Sequence, residues 1–113
     1  MSESEFLALA EATLGAIEAA LDRLNDEDAL DVECSRSGNV LEIEFIDNGS
    51  KIIVNSQAPM RELWVAAKSG GFHYKHVDGQ WRNTRDQSEL FAALSLMASA
   101  QAGAPVVLDP PGR

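Results

Sequence analysis

The spacing of apolar residues divides the chain into a helical start, a sheet-like middle and a helical end. Along the first segment the apolar positions recur three or four residues apart: Phe6, Ala10, Leu14, Ile17, Leu21 and Leu24. This spacing keeps them on one stripe of a helix, which predicts an amphipathic α-helix over residues 3–24. Ser2 and Glu5 stand three residues apart at its start, as in a capping box.

From residue 30 the period changes to two, which is typical of half-buried strands. Six strands are predicted, at residues 30–35, 41–45, 51–55, 63–66, 72–77 and 80–82; the first two alternate clearly, and the fourth is short and apolar. In the first, Leu30, Val32 and Cys34 alternate with polar residues, so Cys34 is interpreted as a small buried side chain rather than a nucleophile. Asn48-Gly49 predicts a type I′ hairpin turn, and Asp78-Gly79 another tight turn. Such short links join antiparallel neighbours.

A second helix is predicted to open at Asp86-x-x-Glu89 by a similar cap and to end at Gly103. Its buried side is expected to hold Leu90, Phe91, Leu94, Met97 and Ala98. The fold class is therefore α+β, a two-layer sandwich with two helices on one face of a six-stranded antiparallel sheet. We expect one domain over residues 1–103 and a tail over 104–113, in which residues 106–108 dock and the diproline end is loose.

Composition excludes several classes of protein. With 113 residues and 45% hydrophobic content, the chain has the make-up of one globular domain rather than a disordered segment. No apolar run approaches the roughly 20 residues of a membrane span. The acidic N-terminus differs from the basic start of a signal or transit peptide, and one cysteine suits a reducing compartment. We therefore expect a cytoplasmic protein that does not bind membranes.

The excess of negative charge lies in the first part of the chain. Residues 1–47 hold thirteen carboxylates against two arginines, a net charge of −11, whereas residues 48–113 have a net charge of +2. A nucleic-acid backbone would be repelled by this charge. The imbalance favours cations, or a partner protein with a basic patch.

Most of these carboxylates are expected to form one surface, which we call the acidic ridge. Its members are Glu11, Glu18, Asp22, Asp26, Glu27, Asp28, Asp31, Glu33, Glu42, Glu44 and Asp47. Oxygen-only ligands suit hard cations such as Mg²⁺, Ca²⁺, Mn²⁺ or iron. A helix flank and a flat strand do not wrap around an ion, so binding should be weak. The alternative is a solvated acidic face that holds no ligand.

The remaining candidates do not indicate a conventional acid–base enzyme. His73 and His76 stand three apart on a predicted strand, so they point to opposite faces and cannot chelate one ion. There is no Ser/His/Asp arrangement and no glycine-rich phosphate loop before a helix. Trp64 lies near the neutral polar residues Asn55 and Gln57, and from the residues alone it is either a core residue or an interface anchor.

Several segments resemble the frataxin family. The signature region is similar to residues 52–59 (IIVNSQAP), 63–66 (LWVA) and 70–74 (GGFHY). Residues 4–6 (SEF), 48–53 (NGSKII) and the pairs Ile17-Glu18 and Leu21-Asp22 resemble bacterial members. The resemblance covers roughly residues 3–103. It implies the two-layer sandwich derived above and an accessory role in iron–sulfur cluster assembly.

The resemblance also implies ligands and partners. Family members bind iron (Fe²⁺ or Fe³⁺) weakly through acidic residues of the first helix and first strand, and Glu18, Asp22, Asp31 and Glu33 match those positions. With Asp26 and Glu27 of the link, they are the candidate metal ligands. The family binds cysteine desulfurase and, in some members, the scaffold protein, for which the candidate residues are Asn55, Gln57, Trp64, Glu18 and Asp22. Trp64 is thereby interpreted as an interface residue.

The expected function is an iron-responsive regulator of the desulfurase and a candidate iron donor, acting as a monomer. Ala19 and Arg23 replace acids found in some bacterial members, so the ridge is thinner along the helix. Ser56 replaces a basic residue, which weakens the expectation of scaffold contacts. Two alternatives are kept: an oligomer that oxidises and stores iron, and an interaction module with incidental iron binding.

Overall fold

Two helices pack against one face of a six-stranded antiparallel sheet, as predicted. The computed structural model describes residues 1–111. The strands are β1 (Val32–Ser37), β2 (Val40–Phe45), β3 (Lys51–Gln57), β4 (Glu62–Ala67), β5 (Gly70–Val77) and β6 (Gln80–Asn83), and they lie in the sheet in chain order. The helices are α1 (Glu3–Asp26) and α2 (Leu90–Ala102), and a short 3₁₀ turn (Ala58–Met60) links β3 to β4.

The core lies between the helices and the inner face of the sheet. Every residue of the predicted apolar stripe on α1 is buried. Leu41, Val54, Leu63 and Tyr74 are fully buried on the strands, because alternation sends every second side chain toward the helices. Within residues 1–111 no helix covers the outer face of the sheet, so most side chains on that face are partly or fully exposed to solvent.

The predicted capping box of α1 is confirmed. The Glu5 amide donates to Ser2 Oγ, and the Ser2 amide donates to Glu5 Oε1, each at 3.1 Å. These two bonds satisfy amides that the first helical turn leaves without partners.

The type I′ turn predicted at Asn48-Gly49 is wrong. Only Gly49 has a positive φ there, of 71°. The Gly49 amide donates to the Phe45 carbonyl at 2.7 Å, which closes a wider loop. Asn48 instead donates from Nδ2 to the Gln101 carbonyl at 2.7 Å, at the end of α2. A type I′ conformation occurs at Asp78-Gly79, where φ is 51° and 82°.

Several predicted boundaries also shift: α1 extends to Asp26 rather than ending at residue 24, and the starts of β1 and α2 move. β1 begins at Val32 rather than Leu30, although Leu30 is still buried. α2 begins at Leu90 rather than after Asp86, because Gln87 has a φ of 66°, which is incompatible with a right-handed helix. Glu89 is the cap and accepts from the Phe91 amide at 2.7 Å.

The segment after α2 folds back along that helix. Val106 and Leu108 are buried, and their amides donate to the hydroxyls of Ser99 and Ser95 at 2.9 and 2.8 Å. Residues 112 and 113, the end of the predicted tail, lie outside the described residues. Within residues 1–111 no helix combines the length and the apolar character that crossing a membrane requires.

Candidate functional site

α1 packs on the inner face of the sheet and contacts the edge strand β1. Asn25 near the end of the helix bonds both backbone groups of Val32: its Nδ2 donates to the carbonyl at 2.9 Å and its Oδ1 accepts from the amide at 3.0 Å. Asn25 therefore provides hydrogen-bond partners for backbone groups of the edge strand that would otherwise be unpaired. This packing sets the helical acids of the ridge beside the first strand.

Arg36 neutralises part of the acidic ridge. Its two terminal nitrogens each lie 2.5 Å from a carboxylate of α1, one from Glu18 and one from Glu11. Partial burial works to lower the Arg36 pKa, but the two carboxylates outweigh it and raise that pKa above its usual value. Sequence analysis missed this clamp. The available signal was that Arg36 alternates in phase with Val32 and Cys34, which places it on the side that faces the helix.

The strand acids of the ridge lie on the outer side of the sheet, opposite to α1. Glu33 faces solvent on the outer side of the sheet, directly opposite Glu44 on β2. Glu42 on the same side pairs with Lys51 at 3.5 Å. Of the candidate ligands, Asp22, Asp26, Glu27, Asp31 and Glu33 are exposed, and none of them forms an ion pair within the described part of the chain.

The structure does not bring the candidate metal ligands into one cage. Among residues 1–111, no three His, Cys, Asp or Glu side chains lie close enough to hold one metal ion. Asp28, Asp31 and Asp47 do border a common surface cavity of about 580 Å³, between the α1–β1 link and the β2–β3 loop. The metal-ligand set therefore stays a prediction, and its geometry allows only an open surface site.

Cys34 is half-buried beside the ridge. Burial is the main cause that raises the pKa of its thiol to about 11, and the carboxylates of Asp22 and Glu18 add to the effect. At neutral pH the group is a thiol, so it lacks the nucleophilic form of a catalytic cysteine. This agrees with its interpretation as a small packed side chain.

Trp64 lies on the outer face of the sheet. Its neighbour Leu63 is fully buried, which leaves the Trp64 side chain on the solvent side. Asn55 on β3 and His73 on β5 are its direct cross-strand partners, and Gln57 stands two residues along from Asn55. The predicted partner residues Asn55, Gln57 and Trp64 therefore share one face, which we call the tryptophan face.

A buried carboxylate underlies this face. The Glu62 side chain is only 7% exposed, and its Oε1 accepts from Trp64 Nε1 at 2.8 Å. The same oxygen lies 3.3 Å from His73 Nδ1, and the Trp64 and His73 rings stack 4.4 Å apart at 8°. Lys75 Nζ is 3.9 Å from Oε2. Sequence analysis missed Glu62, although its spacing of two from Trp64 places both on one side of β4.

The two histidines point to opposite faces, as predicted. His73 stacks on Trp64 outside the sheet, whereas His76 meets the edge of the buried Trp81 at 5.1 Å on the inner side. They cannot ligate one ion together.

Known proteins are similar to this chain in fold and in sequence. Residues 1–104 match the model of a family described as the frataxin-like domain. The iron-sulfur cluster assembly protein CyaY of Janthinobacterium sp. (strain Marseille) is 75% identical over 109 residues, which span 96% of this chain and 97% of that relative. Frataxin from Psychromonas ingrahamii superposes with a TM-score of 0.80 at 29% identity, covering 97% of this chain and all of that one.

A more distant solved structure also shares the fold. It is the trimeric frataxin from the yeast Saccharomyces cerevisiae, complexed with ferrous iron, with a TM-score of 0.54 and 24% identity. The match covers 78% of this chain and 86% of the yeast chain.

Proposed function

This chain belongs to the frataxin-like domain family, and from that premise we propose that it is an iron-binding accessory protein of iron–sulfur cluster assembly that regulates a cysteine desulfurase. The relative that is 75% identical over nearly its full length carries the name of an iron–sulfur cluster assembly protein, which supports the assembly role. We propose that it acts in the cytoplasm.

The acidic ridge is the proposed iron-binding surface. Carboxylate oxygens are suitable ligands for iron, and the excess charge of residues 1–47 concentrates cations near them. The proposed ligands are Glu18, Asp22, Asp26, Glu27, Asp31 and Glu33. Because these side chains do not converge within the described residues, iron binds weakly as a cargo or signal rather than as a fixed cofactor.

The tryptophan face is the proposed docking surface for the desulfurase. One observation carries this proposal: Glu33, Glu42 and Glu44 share the outer side of the sheet with Trp64. A single partner can therefore contact the indole and the strand acids of the ridge together. A basic patch on the desulfurase would complement the ridge, including Glu18 and Asp22, while the scaffold protein is a second proposed partner of the same surface.

Desulfurase turnover with and without this protein, each with and without iron, tests the proposal. We expect the protein to change the turnover rate and iron to enlarge that change. Binding should weaken as salt rises, because exposed charges are screened over about 8 Å at 0.15 M ionic strength. A turnover rate that the protein leaves unchanged under both iron conditions would refute the regulatory role, and salt-independent binding would refute the electrostatic docking.

Removing the arginine clamp should strengthen iron binding. In Arg36→Gln, the carboxylates of Glu11 and Glu18 lose their shared cation. One unit charge about 6 Å away changes the binding of a divalent ion by about 1.4 kcal/mol at the dielectric constant of water, or roughly tenfold in affinity. Anaerobic Fe²⁺ titration followed by amide NMR of residues 18–36 measures both the affinity and the location.

Arg85→Gln is the matched control, because it removes the same charge at an exposed position after β6. Equal affinities for iron in the two variants would show that the ridge near Arg36 is not the iron-binding surface.

The alternative of an oligomer that oxidises and stores iron has one supporting observation, the trimeric yeast relative with ferrous iron. That relative shares only the fold with this chain, and the described residues hold no cluster that could seat two irons. We therefore favour the accessory role.

A further inference from the structure

We propose that Glu62 is the positioning residue of the tryptophan face: its buried carboxylate holds the Trp64 and His73 rings as one stacked pair on which the partner docks. This inference rests on the proposed desulfurase docking described above, and it names the residue that makes the docking surface rigid.

The Glu62 carboxylate is buried on the outer side of the sheet because polar and charged groups surround it. A carboxylate on the solvent side of a sheet is normally exposed, and burying it is unfavourable unless donors and cations surround it. Here three groups do so: the Trp64 indole N–H, the His73 imidazole and the more distant Lys75 ammonium. All three are on the exposed face, so Glu62 is buried by the residues that it organises.

One oxygen fixes both rings. Glu62 Oε1 accepts from Trp64 Nε1 at 2.8 Å and lies 3.3 Å from His73 Nδ1. The two rings are held at their edges and are parallel within 8°. An N–H on Nδ1 pointing to Oε1 leaves the other ring nitrogen of His73 available at the surface, where the side chain is 49% exposed.

A stacked pair of rings that is already ordered binds better than two mobile side chains. Immobilising large side chains when a complex forms opposes binding, and for two rings the effect on affinity is about tenfold. Because Glu62 already holds both rings in the free protein, little further side-chain mobility is lost when the partner binds. Trp64 then presents its ring in the arrangement of an interface anchor.

Two substitutions separate positioning from charge. Glu62→Gln removes the charge but keeps an oxygen that accepts from the indole, whereas Glu62→Ala removes both. In binding measurements with the desulfurase at pH 8, we expect Glu62→Ala to lose about tenfold in affinity and Glu62→Gln to stay within about threefold of the original chain. Equal losses in the two variants would overturn the positioning role in favour of a charge effect.

The test distinguishes this inference from the proposed function. If Trp64→Ala loses desulfurase binding but Glu62→Ala does not, docking on the tryptophan face stands and the positioning role of Glu62 is overturned. If Trp64→Ala binds normally, the docking surface itself is wrong.

An NMR measurement tests the stacked pair directly. In His73→Ala the ring that stacks on Trp64 is lost, so the indole N–H signal of Trp64 should move. His76→Ala is the matched control and should leave that signal in place, because His76 contacts Trp81 instead. A Trp64 signal that is the same in His73→Ala as in the original chain, or that moves only in His76→Ala, would overturn the stacked pair.

Discussion

Trp64→Ala is expected to weaken desulfurase binding by at least about 30-fold, the effect of losing an interface anchor worth about 2 kcal/mol. The indole lies on the outer face of the sheet, above Glu62 and against His73, and contributes nothing to the core between the layers. The free energy of unfolding should therefore fall by no more than about 1 kcal/mol. Calorimetric titration with the desulfurase and urea unfolding measure the two quantities.

Leu96→Ala is the control for this prediction. Leu96 is 74% exposed on α2, in the layer on the other side of the molecule. It removes a large exposed apolar side chain without touching the tryptophan face, so binding should be unchanged. If Leu96→Ala weakens binding as much as Trp64→Ala does, the partner does not dock where we propose.

Trp81, the other tryptophan, should contribute to stability rather than to desulfurase binding. Trp81→Ala is expected to lower the free energy of unfolding by about 3–5 kcal/mol, because it empties a large buried volume. Trp81 is 5% exposed, packs edge-on to Phe6 at 6.1 Å and donates from Nε1 to Thr13 Oγ1 on α1 at 3.0 Å. The protein that remains folded should still bind the desulfurase. Urea unfolding monitored by circular dichroism gives the loss of stability.

Trp81→Phe tests the cause of that loss. It keeps an aromatic ring against Phe6 but removes the donor to Thr13, so the loss should be clearly smaller than for alanine. A loss below about 1 kcal/mol for Trp81→Ala would contradict the assignment of this ring to the core.

Local pattern was sufficient for most of the fold. The stripe on α1, the six strands and the cap at Ser2 were all predicted from spacing, apolar runs and turn residues, because these signals act over a few residues. One error lies where a distant contact prevails over the local signal. Asn48 was expected to form a type I′ turn, but its side chain bonds the end of α2 instead.

The candidate site was predictable to a smaller extent. The sequence indicated which residues are acidic and which are aromatic, and the resemblance assigned Trp64 to an interface. It did not indicate that Arg36 clamps Glu11 and Glu18, 25 and 18 residues away. Nor did it indicate that Glu62 is buried beneath His73, which belongs to the next strand.

By itself, then, the sequence determined the elements, their order and the uneven charge of the chain. Alternation could show that Trp64 and Trp81 each lie on one side of a strand, but not which side the helices cover. Only the tertiary structure decided that Trp64 faces solvent and Trp81 the core. The physical reason is that residue spacing shows only which side chains share a face of their own helix or strand. Burial and ion pairing depend on which other segment packs against that face.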